Sequence, residues 1–198
     1  MARTVAKDFD VKSNLILKTA ARVFAAEGVD RASMSQVAQA CKISKANIYH
    51  YYDSKSALIF GILDTYLREL RDRILAVTPD GKSPPDHFHA VLLEILLTYQ
   101  GADNEHRLQA TGIPTLPRAQ QEILLNYQRD SVRHMSAIIN TIAPQAFVTD
   151  SSKLHAVTMS VFGMLNWFYM WNRHADTQAR ENYARLVADL SLKGIGGV

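Results

Sequence analysis

Apolar residues return every three or four positions along almost the whole chain, and no segment alternates long enough to make a strand. Leu15, Ile16, Thr19, Ala20, Val23 and Phe24 form one such stripe. A first helix is therefore expected from Ser13 to about Glu27, where Gly28 stops it. Ser33 can cap a short second helix from Met34 to Cys41, with Met34, Val37 and Ala38 facing inward. A tight connection at Lys42 and Ile43 follows, and Ser44 can cap a third short helix through about Tyr51. Asp53 or Ser54 can cap a long fourth helix to about Val77, whose buried side carries Leu58, Ile59, Ile62, Leu63, Tyr66, Leu67 and Leu70. Thr78 to Pro85 is rich in turn residues. Further helices are expected near 85–99, 104–110, 117–142, 151–172 and 177–193, punctuated by Gly101, Gly112, Pro114, Pro117 and Pro144. The pattern predicts an all-α fold of about nine helices.

Charge sharpens this picture by its placement. Residues 1–60 hold nine Lys and Arg against five Asp and Glu, whereas the remainder holds thirteen against fourteen. The positive excess thus lies at the end that carries the two short helices, as expected of a surface that meets phosphate. Short helices capped at Ser33 and Ser44 and joined by a turn of two or three residues match a helix-turn-helix. In that arrangement Lys45, Ala46 or Asn47, Tyr49 and His50 face outward, while Ile48 and Tyr52 face the core. Lys45 can contact guanine edges or phosphate, Asn47 can bond a base edge, and the Tyr49 hydroxyl can reach a phosphate oxygen. The amino ends of the helices that begin at Ser33 and Lys55 add amide groups favourable to phosphate. By themselves, polar residues on a short helix are also compatible with a plain solvated surface.

Three segments carry a more specific signal: Val23-Phe24-Ala25-Ala26-Glu27-Gly28, Ser33-Met34-Ser35-Gln36-Val37-Ala38, and Ile43-Ser44-Lys45-Ala46-Asn47-Ile48-Tyr49-His50-Tyr51-Tyr52-Asp53-Ser54-Lys55-Ser56-Ala57-Leu58. Together they resemble the DNA-binding domain of the TetR family of transcriptional repressors. The resemblance implies a helix-turn-helix domain with an N-terminal arm over residues 1–53 and a helical ligand-binding and dimerisation domain over 54–198. It also implies a homodimer on a palindromic double-stranded DNA operator, released by an inducer. By matching position, Ser33 and Ser35 would meet phosphate or the groove edge. Lys45, Ala46 and Asn47 would meet bases, Tyr49 and Lys55 would hold phosphates, and His50 and Tyr51 would add contacts. One departure is the turn, where the family commonly has alanine-glycine and this chain has Cys41-Lys42. A left-handed residue there costs a side chain roughly 1 kcal/mol, so Lys42 either tolerates that strain or the turn shifts slightly. Cys41 itself is expected to be a small buried helix residue, with a redox role as the alternative.

In the second half, Leu154, Val157, Val161, Met164, Leu165, Phe168 and Trp171 line one face of a helix, and His155, Met159, Phe162, Asn166 and Met170 another. A helix apolar on two sides is buried on two sides. The family resemblance assigns one of them to a partner subunit, together with the Tyr183, Leu186, Val187 and Leu190 face of the last helix. Candidate ligand residues are Phe88, Tyr99, His106, Tyr127, His134, Phe162, Asn166, Trp167 and Met170, which suit a small hydrophobic ligand. The run Phe162 to Trp167 is similar to TetR-family regulators of fatty-acid, steroid or phenylacetate degradation, which implies an acyl-CoA thioester as inducer. Arg129, Arg133 and Lys153 would then meet its phosphates, or serve simply as solvated charges.

The rival classes are a helical enzyme and an interaction protein that does not bind DNA. The sequence has no G-x-S-x-G, Walker A, H-E-x-x-H or C-x-x-C motif, so no cofactor, metal or catalytic group is expected. His87 and His89 would point roughly 200° apart on a helix and not share a metal. The single cysteine, the lack of an apolar leader and the lack of a membrane-length apolar run predict a soluble cytoplasmic protein without a membrane partner.

Overall fold

The structure, a computed structural model, describes residues 2–148, 150–172 and 174–194. Among them the chain forms nine α-helices and no strand: α1 (Ala2–Glu27), α2 (Met34–Ala40), α3 (Lys45–Tyr51), α4 (Lys55–Ala76), α5 (Pro84–Thr98), α6 (Asp103–Gly112), α7 (Arg118–Ile142), α8 (Ser151–Trp171) and α9 (Thr177–Lys193). Short 3-10 turns at Ile113–Thr115 and Pro144–Ala146 follow α6 and α7. None of the helices is long and apolar enough to cross a membrane.

Packing divides the chain into two compact units, residues 1–68 with 102–125 and residues 69–101 with 126–198. The first unit holds α1, α2, α3, α6 and the opening parts of α4 and α7. Its core is built from Ile16, Ala20, Phe24, Val37, Ile48, Leu58, Ile59 and Ile62, each at most 3% exposed. Gly28, at φ +84, ends α1 by adopting a conformation that side chains resist. At Gly61 a Cβ would lie 3.1 Å from the Tyr52 ring and 3.2 Å from Leu17, so the missing side chain lets α4 approach both. Helix α6 packs on α1 through buried Glu105 and Leu108. Burial raises the Glu105 carboxyl above the usual carboxylate range, and the attraction of Lys18 on α1 opposes that shift.

Helix α1 begins at Ala2, well before the expected Ser13. Residues 2–12 contain no glycine or proline to stop a helix, and Phe9 gives the added turns a tertiary contact described below. In the second unit, α5 packs along α9, and α8 contacts both. Arg180, 4% exposed, reaches from α9 to the end of α5, where its Nη1 donates to the Leu96 carbonyl at 2.9 Å.

Candidate nucleic-acid interface and ligand cavity

The two short helices are fixed by local hydrogen bonds. Ser33 and Gln36 make a reciprocal capping box on α2: the Gln36 N–H donates to Ser33 Oγ, and the Ser33 N–H donates to Gln36 Oε1. On α3 the Asn47 N–H donates to Ser44 Oγ at 3.1 Å. Ser54, the second of the two expected caps, receives the Ala57 N–H at the start of α4. Between α2 and α3 the Ile43 N–H donates to the Ala38 carbonyl and the Lys42 N–H to that of Gln39, which is a Schellman closure. It places Lys42 at φ 57, the left-handed position that the missing glycine foreshadowed. Replacing Lys42 with glycine is expected to stabilise the fold by about 0.5–1 kcal/mol, the strain relieved outweighing the added chain entropy. A urea midpoint at or below that of the parent protein would contradict this.

This framework exposes Ser33, Ser35, Lys45, Ala46, Asn47, Tyr49 and His50, while Ile48 is fully buried beneath them. Tyr51 and Lys55 are half-buried. Lys55 Nζ reaches back to the Asp30 carbonyl at 3.3 Å, beside the start of α2. The extension of α1 adds a residue that the sequence reading missed. Phe9 stacks on Tyr51 with ring centroids 4.7 Å apart and meets His50 edge-on at 6.4 Å. Four residues later Ser13 bonds the Tyr52 hydroxyl at 2.8 Å, so one face of α1 steadies the end of α3. The available signal was this aromatic residue, the one ring ahead of Ser13 in the sequence, spaced i, i+4 from it. Cys41 is half-buried; burial raises its thiol, against the opposing effects of Thr19 and Arg22.

In the second unit a cavity of about 220 Å³ is lined by Phe88, Ile139, Ile142, Ala143, Ala146, Phe147, Lys153, Val157, Val161, Ser191 and Leu192. Of the expected ligand residues, Phe88 lies on it. Tyr99 and Asn166 are brought together elsewhere, the phenol donating to Asn166 Oδ1 at 2.6 Å, and burial pushes the Tyr99 phenol far up. Tyr127 lies under the Arg71 guanidinium, 4.6 Å from the ring centroid. His134 is 6.2 Å from His87, and burial, with His87 secondarily, lowers its imidazole below the usual range. Phe162 is buried, Met170 half-buried, and Trp167 61% exposed. His106 belongs to the first unit, where Nδ1 meets the Tyr66 hydroxyl at 2.9 Å. The walls at Ala143, Ala146 and Phe147 were missed because the junction after α7 carries no periodic pattern.

Residues 16–62 match the pattern described as "Bacterial regulatory proteins, tetR family", and residues 81–195 match that of "Tetracyclin repressor-like, C-terminal domain". The chain belongs to the TetR family. It is 29% identical over 138 residues to an uncharacterised HTH-type transcriptional regulator, YuxN, of Bacillus subtilis (strain 168). That match covers 68% of this chain and 47% of YuxN, so it spans about half the relative's length. A TetR-family transcriptional regulator from Bordetella parapertussis 12822 superposes with a TM-score of 0.87 at 27% identity, covering 94% of this chain and 96% of that one. AibR, solved in complex with isovaleryl coenzyme A and operator DNA, superposes with a TM-score of 0.75 at 22% identity, covering 90% and 97%.

As a TetR-family transcriptional regulator, the chain combines a helix-turn-helix with a helical C-terminal domain. The outer side of α8 in that domain exposes several large apolar residues among polar ones such as His155 and Ser160. Met159 is 46% exposed, Trp171 57%, and Leu186 of α9 41%, while Gly163 has open space beyond it. Periodicity grouped Trp171 on one face with Leu165 and Phe168, which are buried; Trp171 itself is exposed, with its ring T-shaped to that of Phe168 at 5.1 Å. Phe162, placed on the other face, is buried with Val161 and Leu165.

Proposed function

We propose that this protein is a transcriptional repressor that binds a palindromic operator as a homodimer and is released by a small hydrophobic inducer. The observation that carries the reading is the exposed row on α2 and α3, rigidly capped and basic at Lys45, which suits entry into a major groove. Within it Ser33 and Ser35 contact phosphate or the groove edge. Lys45, Ala46 and Asn47 read bases, Tyr49 and Lys55 hold phosphates, and His50 and Tyr51 add contacts. The exposed large apolar residues of α8 and α9, Met159, Trp167, Trp171 and Leu186, support a partner subunit, since exposed apolar groups of this size mark interaction surfaces.

Residues 1–53 serve as the DNA-reading part and 54–198 as the ligand-binding and dimerisation part, with no catalytic step. The complex of AibR makes acyl-CoA thioesters the first inducers to try. The remaining candidates from sequence, Tyr99, His106, Tyr127, His134, Phe162, Asn166, Trp167 and Met170, are the residues to survey alongside Phe88. Ligand binding acts through α4, shifting the two recognition helices away from a spacing near ~34–36 Å or a multiple of a helical turn.

Selection from random duplexes tests this reading. The expected result is an inverted repeat, with binding that weakens steeply as salt rises. Y49A and K55A should each bind it several-fold more weakly while remaining folded. Enrichment of a single half-site, or of nothing, would overturn the dimeric repressor; unchanged binding by both variants would overturn the phosphate contacts.

A further inference from the structure

The cavity of the second unit combines a small apolar interior with one cation. Its walls include Phe88, Ile139, Val157 and Val161, and its polar side chains are Lys153 and Ser191. Lys153 is exposed and takes part in none of the ion pairs found among the described residues. The nearby Asp150 carboxylate is held by the Lys153 backbone N–H and the Ser152 hydroxyl as the cap of α8, and feels the Lys153 charge only at longer range. Ser191 donates its proton to the Val187 carbonyl at 2.7 Å and so faces a ligand as an acceptor. The ammonium of Lys153 is therefore the group left to meet an anion.

We propose that this cavity binds a short-chain carboxylate, its aliphatic tail inside and its carboxylate at Lys153. Size sets the tail. The cavity of about 220 Å³ lies below the ~300–1,000 Å³ of ordinary small-molecule sites. At about 30 Å³ per water-sized group it takes roughly seven such groups, a chain of about five to eight carbons. Charge sets the head. In a coenzyme A thioester the end of the acyl chain is a neutral carbonyl and the phosphates lie a pantetheine arm away, whereas a free acid places its charge directly at the mouth. The site depends on the ligand-responsive reading of the C-terminal domain only for its effect on DNA, so occupancy is measured without DNA.

The test is calorimetric titration of the full-length protein with the straight-chain acids from butanoate to decanoate, with 1-octanol and with hexanoyl-CoA. Affinity is expected to rise about fourfold per methylene, then level off once the chain outgrows the cavity. K153E should weaken octanoate about tenfold and leave 1-octanol unchanged. V157F, which fills the cavity, should weaken both; because Lys153 is exposed, K153E keeps the test decisive if V157F does not fold. Affinity independent of chain length, octanoate binding indifferent to K153E, or full binding by folded V157F would each overturn the proposal. So would hexanoyl-CoA binding in a Lys153-dependent way where hexanoate does not. Operator release is read separately in a mobility shift: acids that bind without releasing DNA would sustain this site and refute it as the inducer site.

Discussion

K45A is expected to abolish selective operator binding while leaving the protein folded. Lys45 is the first residue of α3, exposed directly after the Ser44 cap, where a recognition helix presents side chains to base edges. A lost base contact costs about 1–3 kcal/mol, which is 5- to 150-fold, and a homodimer loses it in both half-sites. Because the side chain is also a cation, the slope of log affinity against log salt should fall by about 0.9 for each phosphate contact removed. Fluorescence anisotropy on operator and scrambled duplexes at several salt concentrations gives both quantities. A uniform loss on both duplexes with the full change in slope would make Lys45 a phosphate contact only. No loss on either would remove it from the interface.

The second large effect concerns stability. R180M is expected to destabilise the second unit by about 2–4 kcal/mol, a large share of the ~5–15 kcal/mol that holds a domain together. The Leu96 carbonyl sits in the last turn of α5, where it has no partner along the helix. Arg180 supplies that partner from α9, adds positive charge at a helix carboxyl end, and lies 5.6 Å from the Phe168 ring centroid. Methionine replaces the packing volume but leaves the carbonyl buried and unbonded. Urea unfolding followed by circular dichroism checks the magnitude. A loss below about 0.5 kcal/mol, the range of ordinary surface substitutions, would show that the bond contributes little.

What could be read from the sequence was what is decided locally. Ser33, Ser44 and Ser54 cap helices through neighbours three residues away, so their roles were legible from spacing. The turn at Lys42 was legible as the irregular spot for the same reason, and of the two outcomes left open there, a strained Lys42 or a shifted turn, the chain takes the strained one. The early start of α1 was not, because its support comes from Tyr51, far along the chain. The cavity was harder still: α5, the end of α7, the start of α8 and the end of α9 each contribute a wall. Aromatic and polar types alone could not separate Phe88, which lies on that cavity, from Tyr99, which bonds a residue 67 positions away. His106 shows the same limit, since only packing assigns α6 to the unit that also contains α1.

That assignment bears on how DNA specificity can be inherited. Helix α6 closes over α1 with a buried glutamate facing Lys18, although some 75 residues separate them along the chain. The compact body that presents the recognition helix is thus a mosaic of two distant stretches. A recombination event that exchanged only the first stretch between relatives would join an α1 surface to an α6 that had never adapted to it. Changes of operator preference are accordingly easier to acquire by point substitution on the outward face of α3, which α6 does not share, than by wholesale transfer of the amino-terminal segment.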